Sequence, residues 1–137
     1  MKENFVVINQ LSVPSDFSEL VKVEGLIDDV CSNYFADQDI YGNVLIAVTE
    51  AVNNAIQHGN SSDNRRLVTI GVSSSDEQID FSVSDEGRGF DYANLPDPTA
   101  PENIEKENGR GIFLMRSLSD GVEFENGGST VVISFKR

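Results

Sequence analysis

Apolar and polar positions alternate from Asn4 to Val13, in a stretch rich in Val and Ile, and that period of two predicts a strand. Pro14-Ser15-Asp16 then offers turn and N-cap chemistry for a helix over about Asp16 to Tyr34, whose apolar positions Phe17, Leu20, Val21, Leu26, Ile27 and Val30 have broadly helical spacing. A second helix is expected from about Asp39 to His58. It carries Leu45, Val48, Val52 and Ala55 on one stripe and stops at Gly59-Asn60, where a left-handed C-cap costs little. Alternation returns at about Arg66 to Ser74 and Gln78 to Asp85, around the turn-rich tract Ser73 to Glu77. Phe90 to Asn108 has no apolar period and contains Pro96, Pro98 and Pro101, so it reads as a long loop of the kind that forms lids. A third helix over about Gly111 to Asp120 precedes a hairpin, Val122 to Glu125 and Thr130 to Lys136, turning at Asn126-Gly127-Gly128. Strands and helices in this mixed order predict an α+β domain.

Length and charge narrow the class. A chain of 137 residues with 39% hydrophobic content fits one domain with a real core, residues 1–137. Ten basic against 23 acidic side chains give a net charge of −13, which argues against nucleic acid or an anionic membrane as partner and favours a basic protein. No apolar run reaches the roughly 20 residues that span a bilayer, and MKENFVVINQ lacks a signal-peptide stretch, so a cytoplasmic location is expected. Cys31, the only cysteine, leaves no internal disulfide or Cys-built metal site and reads as a small semi-buried residue.

The candidate chemistry lies on three stretches. In LIAVTEAVNNAIQHGN the polar face holds Glu50, Asn53, Asn54, Gln57 and His58 without one cation. Residues spaced by four lie about 40° apart around a helix, so Glu50, Asn54 and His58 form one polar stripe. A carboxylate there can act as a base and an amide oxygen can ligate Mg²⁺, but the same stripe also suits a solvated face. In VSDEGRGFD a strand ends on Asp85, placed to accept a hydrogen bond from an exocyclic amine such as adenine's, while Gly87 and Gly89 permit close backbone approach; a plain turn has the same pattern. In ENGRGIFLMRSLSD, Gly109 and Gly111 precede an apolar helix, and free N–H groups at a helix N-terminus bind phosphate without lysine. Neither the Rossmann nor the Walker glycine pattern occurs.

Taken in order, Glu50-x-x-x-Asn54, Asp85-x-Gly87-x-Gly89 and Gly109-x-Gly111 resemble the GHKL (histidine-kinase-like) ATPase superfamily. The wording TEAVNNAIQHGN and GRGIFLMRSLSD is similar to that of its anti-sigma-factor serine/threonine protein kinases, and the resemblance runs from Asn4 to Phe135. It implies a Bergerat-type two-layer α/β sandwich, with a mixed, mostly antiparallel sheet, helices on one face and an ATP lid at about 90–108. By position it implies Asn54 as Mg²⁺ ligand, Glu50 as catalytic base, Asp85 at the adenine amine, and Gly87 and Gly89 shaping that pocket. Gly109, Arg110 and Gly111 would meet the phosphates, and Ser129 or Thr130 would stand near adenine, while His58 reads as structural.

The implied activity is transfer of the γ-phosphoryl of Mg-ATP to a serine of an anti-anti-sigma-like protein, together with binding of a sigma factor. Family members of this size tend to dimerise. Kinase members often place a basic side chain just before the second glycine pair, where this chain has Glu107 and Asn108, leaving Lys106 or Arg110 as substitutes. The alternative is a non-catalytic interaction module of the same fold, in which ATP or ADP occupancy selects the partner.

Overall fold

The computed structural model describes residues 4–87 and 107–137, with side chains of the second stretch described from Gly111 onward. Strand β1 (Val6–Pro14) leads into α1 (Leu20–Tyr34) and α2 (Tyr41–Asn54), followed by β2 (Leu67–Ser74), β3 (Gln78–Ser84), α3 (Glu107–Leu118), β4 (Gly121–Glu125) and β5 (Thr130–Lys136). The strands form one sheet in the order β1-β2-β3-β5-β4, and every pairing among the described residues is antiparallel, where a mixed sheet was expected. Two consecutive helices bring the chain back to the end of β1 at which it left, so Leu67 pairs with Pro14 and β2 runs the opposite way.

Alternation along the strands builds the two layers. Val68, Ile70 and Val72, then Ile79, Phe81 and Val83, then Val131, Ile133 and Phe135 all point to one face and are buried there. Onto that face pack Val23, Leu26, Ile27 and Val30 of α1 and Val44, Ala47, Val48, Ala51 and Val52 of α2. Phe135 meets Phe35 and Phe81 edge to face, with ring centroids 6.5 and 5.9 Å away. The positions between carry small polar groups such as Ser12, Thr69, Ser82 and Ser84, and among the described residues no helix packs on that second face. The expected α+β sandwich is therefore the observed architecture.

Helix ends depart from the expected bounds, each for a local reason. Asp16 caps a single tight turn, Phe17–Glu19, by accepting the Ser18 N–H at 2.9 Å, and α1 proper starts afterwards. Phe17 and Val21 consequently stay 47% and 73% exposed instead of joining the core. Asp37 does the same for Gln38–Ile40 ahead of α2, accepting the Asp39 N–H at 2.9 Å. At its far end α2 widens into a π-turn, Ala55–Gly59, closed by Asn60 N–H donating to the Ala55 carbonyl at 2.8 Å. The left-handed cap expected at Gly59-Asn60 is absent: Asn60 has φ −101°, and the positive φ angles come later, 53° at Ser61 and 55° at Ser62. Helix α3 begins at Glu107, before the expected Gly111, so of the candidate lid only 107 and 108 are described; the rest lies outside the described residues.

Candidate functional site

The end of α2, the end of β3 and the start of α3 converge on one cavity. Its walls are Ala51 and Ala55 of the α2 face, Val83 and Val131 of the sheet, Ile112 and Met115 of α3, and Phe124 of β4; Asn54, His58, Gly59, Asp85, Gly128 and Ser129 supply its polar atoms. An apolar slot with a few convergent polar groups is the usual form of a site for a flat aromatic ligand.

Asp85 leaves β3 where strand pairing stops. Its N–H donates to the Ser129 carbonyl at 2.9 Å, which ties the strand end to the β4–β5 hairpin, and its Oδ1 accepts the Gly87 N–H at 2.7 Å. Partial burial pushes its carboxyl above the ordinary aspartate value, with the Gly87 hydrogen bond opposing. The carboxylate rests against Gly59 so closely that a Cβ at Gly59 would stand 2.2 Å from Oδ2; one at Gly87 would stand 2.2 Å from the Gly59 carbonyl oxygen. Both glycines are required by contact, and neither has positive φ.

A second contact joins α3 to the polar stripe of α2. A Cβ on Gly111 would lie 2.8 Å from Asn54 Nδ2, 3.5 Å from Asn54 Oδ1 and 3.3 Å from Glu50 Oε2. The absence of a side chain at Gly111 thus lets the start of α3 rest on Glu50 and Asn54. Gly109, Arg110 and Gly111 fall at the third to fifth residues of α3, at and just past the turn whose N–H groups lack an intrahelical partner. Sequence reasoning had placed them ahead of the helix. At Gly111 the geometry shows a close approach to Asn54 and Glu50 that a side chain would block.

The structure therefore brings Gly111 against Glu50 and Asn54 and sets Gly87 against Asp85 and Gly59, while Asn54, Asp85 and Ser129 line one cavity. Ser129 lines the cavity, whereas Thr130 does not: its hydroxyl meets Ser84 Oγ at 2.9 Å and accepts from Asn126 Nδ2 at 3.2 Å. Ser129 precedes β5 with helical backbone, φ −78° and ψ −10°, whereas Thr130 opens the strand with its side chain on the face opposite Val131. Gly89 lies outside the described residues, and the side chain of Arg110 likewise. His58 stands at the cavity edge.

Gly59 and Asn60 were missed as site residues, because a helix-ending Gly-Asn reads as a cap and their contacts come from residues far along the chain. Ile112, Met115 and Phe124 were missed as walls; only the apolar face of α3 signalled the first two.

A model of the histidine kinase-like ATPase domain matches residues 13–135. The chain belongs to the histidine kinase-like ATPase family. Among its relatives in this family are the serine-protein kinases RsbW of Staphylococcus aureus strains JH9 and Newman, each 30% identical over 138 aligned positions that cover 95% of this chain and 85% of the relative. The crystal structure of the RsbU and RsbW domains of Rv1364c from Mycobacterium tuberculosis superimposes with a TM-score of 0.62 at 16% identity. It covers 95% of this chain, which spans about a third (32%) of that longer chain, and it shows the shared fold. As a histidine kinase-like ATPase the chain is expected to bind ATP, and the cavity chemistry fits an adenine ring: apolar walls for its faces and one carboxylate for its amine.

The fit to Mg²⁺ rests on the donor set. No group of three or more His, Cys, Asp or Glu side chains able to hold a metal occurs among the described residues. Asn54 and Glu50 instead present hard oxygens on the stripe that faces α3. Such a pair suits an ion that takes one or two protein ligands and draws the rest from phosphate and water. No helix among the described residues is long and apolar enough to cross a membrane.

Proposed function

We propose that this protein is an ATP-dependent serine kinase that phosphorylates an anti-anti-sigma-like protein and, in alternation, binds a sigma factor. The observation carrying this reading is the contact of Gly111 with Glu50 and Asn54, beside a cavity lined by both Asn54 and Asp85. It supports the reading because it sets the Glu50 carboxylate beside the start of α3, where the resemblance puts the phosphates. The serine-kinase activity is supported by relatives named serine-protein kinases, and both partners are what the motif resemblance implies.

In this reading Asp85 accepts the exocyclic amine and the apolar walls sandwich the ring. Asn54 would hold Mg²⁺, which when bound neutralises phosphate charge. Glu50 orients the serine hydroxyl of the partner and takes its proton as the Oγ–P bond forms and the bond from Pγ to the ADP oxygen breaks. N–H groups at the start of α3 face the phosphates with the positive end of the helix dipole, which compensates for the scarcity of lysine in so acidic a chain.

Incubation with labelled ATP, Mg²⁺ and a candidate partner tests this. Phosphoserine should form on the partner and be lost with Glu50→Gln, which keeps ATP binding, and with Asp85→Asn, which loses it. Nucleotide binding without transfer in the wild-type protein would replace the enzyme by the ATP/ADP-responsive interaction module, a reading to which the acidic Glu107 in place of a basic residue would then belong. Failure to bind any adenine nucleotide would sink both.

A further inference from the structure

Asn60 is fully buried, in a position where an amide is unusual unless all its polar atoms are used. They are used. Nδ2 donates to Ser15 Oγ at 2.9 Å and to the Leu67 carbonyl at 3.0 Å, while Oδ1 accepts the Glu86 N–H at 2.8 Å. Ser15 Oγ passes its own proton to the Arg66 carbonyl at 2.8 Å, and the Ser15 N–H donates to the same oxygen at 3.1 Å. The Glu86 carboxylate accepts the Leu67 N–H. One planar side chain therefore joins the end of β1, the start of β2 and the residue that follows Asp85.

The geometry narrows what that junction does. Asp85 is held from behind by its own N–H on Ser129 and from in front by the Glu86 N–H on Asn60, so the backbone on both sides of the acid is fixed. Its carboxylate lies against Gly59, the residue immediately before Asn60. The bonding pattern demands two donors and one acceptor on the same flat group. Aspartate would set an oxygen against the Leu67 carbonyl, and an apolar residue would strand the Glu86 N–H.

We propose that Asn60 is a positioning residue for adenine recognition: through the Glu86 N–H, with Ser15 and Leu67 as anchors, it fixes the Asp85 carboxylate at the place where it receives the exocyclic amine. The proposal rests on the reading of Asp85 as the amine acceptor. A residue that only stabilises the sheet junction would affect every ligand of the cavity alike. A residue that aims Asp85 affects the ligand that uses Asp85.

The test compares the affinity of ATP with that of the triphosphate of purine riboside, which lacks only the amine, by titration calorimetry on the full chain. Wild-type protein should prefer ATP by about tenfold or more, the scale of a hydrogen bond to a charged acceptor. Asn60→Ala should shrink that preference to within about threefold by weakening ATP, while leaving the affinity for the amine-free triphosphate within about threefold of wild type, because only the ligand that uses Asp85 feels the change. Equal weakening of both nucleotides by Asn60→Ala, or an unchanged preference for ATP, overturns the proposal. If Asn60→Ala does not fold, Ser15→Ala, which removes one anchor, carries the test: a reduced preference supports the proposal and an unchanged one overturns it. A wild-type protein that binds ATP without preferring it over the amine-free analogue would refute the role of Asp85 and this inference with it, an outcome distinct from a preference that Asn60 does not alter.

Discussion

Burial holds the Asp85 carboxyl above its ordinary value, so the folded protein binds that proton more tightly than the unfolded chain does. By linkage this contribution to stability is fully present below the unfolded value and is lost as pH rises through the folded one, a window opening at about pH 4. At neutral pH the acid is thus kept at a cost to the fold. Asp85→Asn, which can retain the Gly87 N–H on its Oδ1, should raise the urea midpoint at pH 7 while abolishing ATP binding, and the stability difference should vanish below about pH 3. Equilibrium denaturation at the two pH values checks this. Gly59→Ala should act in the opposite sense, since a methyl 2.2 Å from Asp85 Oδ2 forces the loop or the helix end to move. A cost of about 1–3 kcal/mol, and an ATP affinity reduced by more than about tenfold, is expected from overpacking at this contact. Cys31, 1% exposed, has its thiol pushed up to about 11 by burial and by the Asp28 charge, so iodoacetamide at pH 8 should label it only in denaturant. Mass spectrometry with and without urea would show it.

Among the elements, α3 offers the cleanest separation of folding from function. Gly111 lies inside a helix, where Ala is favoured over Gly by about 1 kcal/mol, yet its Cβ would press on Asn54 Nδ2 at 2.8 Å. Gly111→Ala should leave the melting temperature unchanged or slightly higher while lowering phosphoryl transfer by about tenfold or more through displacement of Asn54 and Glu50. A thermal melt beside a transfer assay would expose the split. The apolar stripe of α2, the alternation of β2 and β3 and the Asn126-Gly127-Gly128 turn were legible in the sequence because each is set by near neighbours; the turn indeed has φ of 53°, 69° and 101°. The π-turn at Ala55–Gly59 was not, since its closing bond reaches one residue further than a helix repeat and is fixed by what Asn60 does on its other side. For the same reason the polar stripe yielded Glu50 and Asn54 but not Gly59, whose contact partner comes from β3.

For the molecule as a whole, the charge of −13 sets how it meets a partner rather than how it folds. If the sigma factor presents a basic segment, raising salt from about 50 to about 500 mM should slow association by about tenfold or more and change dissociation far less, as stopped-flow mixing would reveal. The order of the motifs along the chain carried the family and therefore the sandwich, whereas the all-antiparallel pairing follows from a helix pair that returns the chain to its starting edge, which no local pattern encodes.

The meeting of Gly59, Asp85 and Gly87 also has a consequence for how such a chain drifts. A side chain gained at 59 is tolerable only after the acid at 85 has gone or shrunk, whereas one gained at 87 meets the backbone carbonyl of Gly59 whatever stands at 85. Position 59 is closed while the acid is in use and opens when the acid is lost, while 87 stays closed by main chain in either case. A lineage that stopped recognising the nucleotide would thus record the loss as larger residues at 59 beside a retained glycine at 87, legible in sequences long after the activity itself had disappeared.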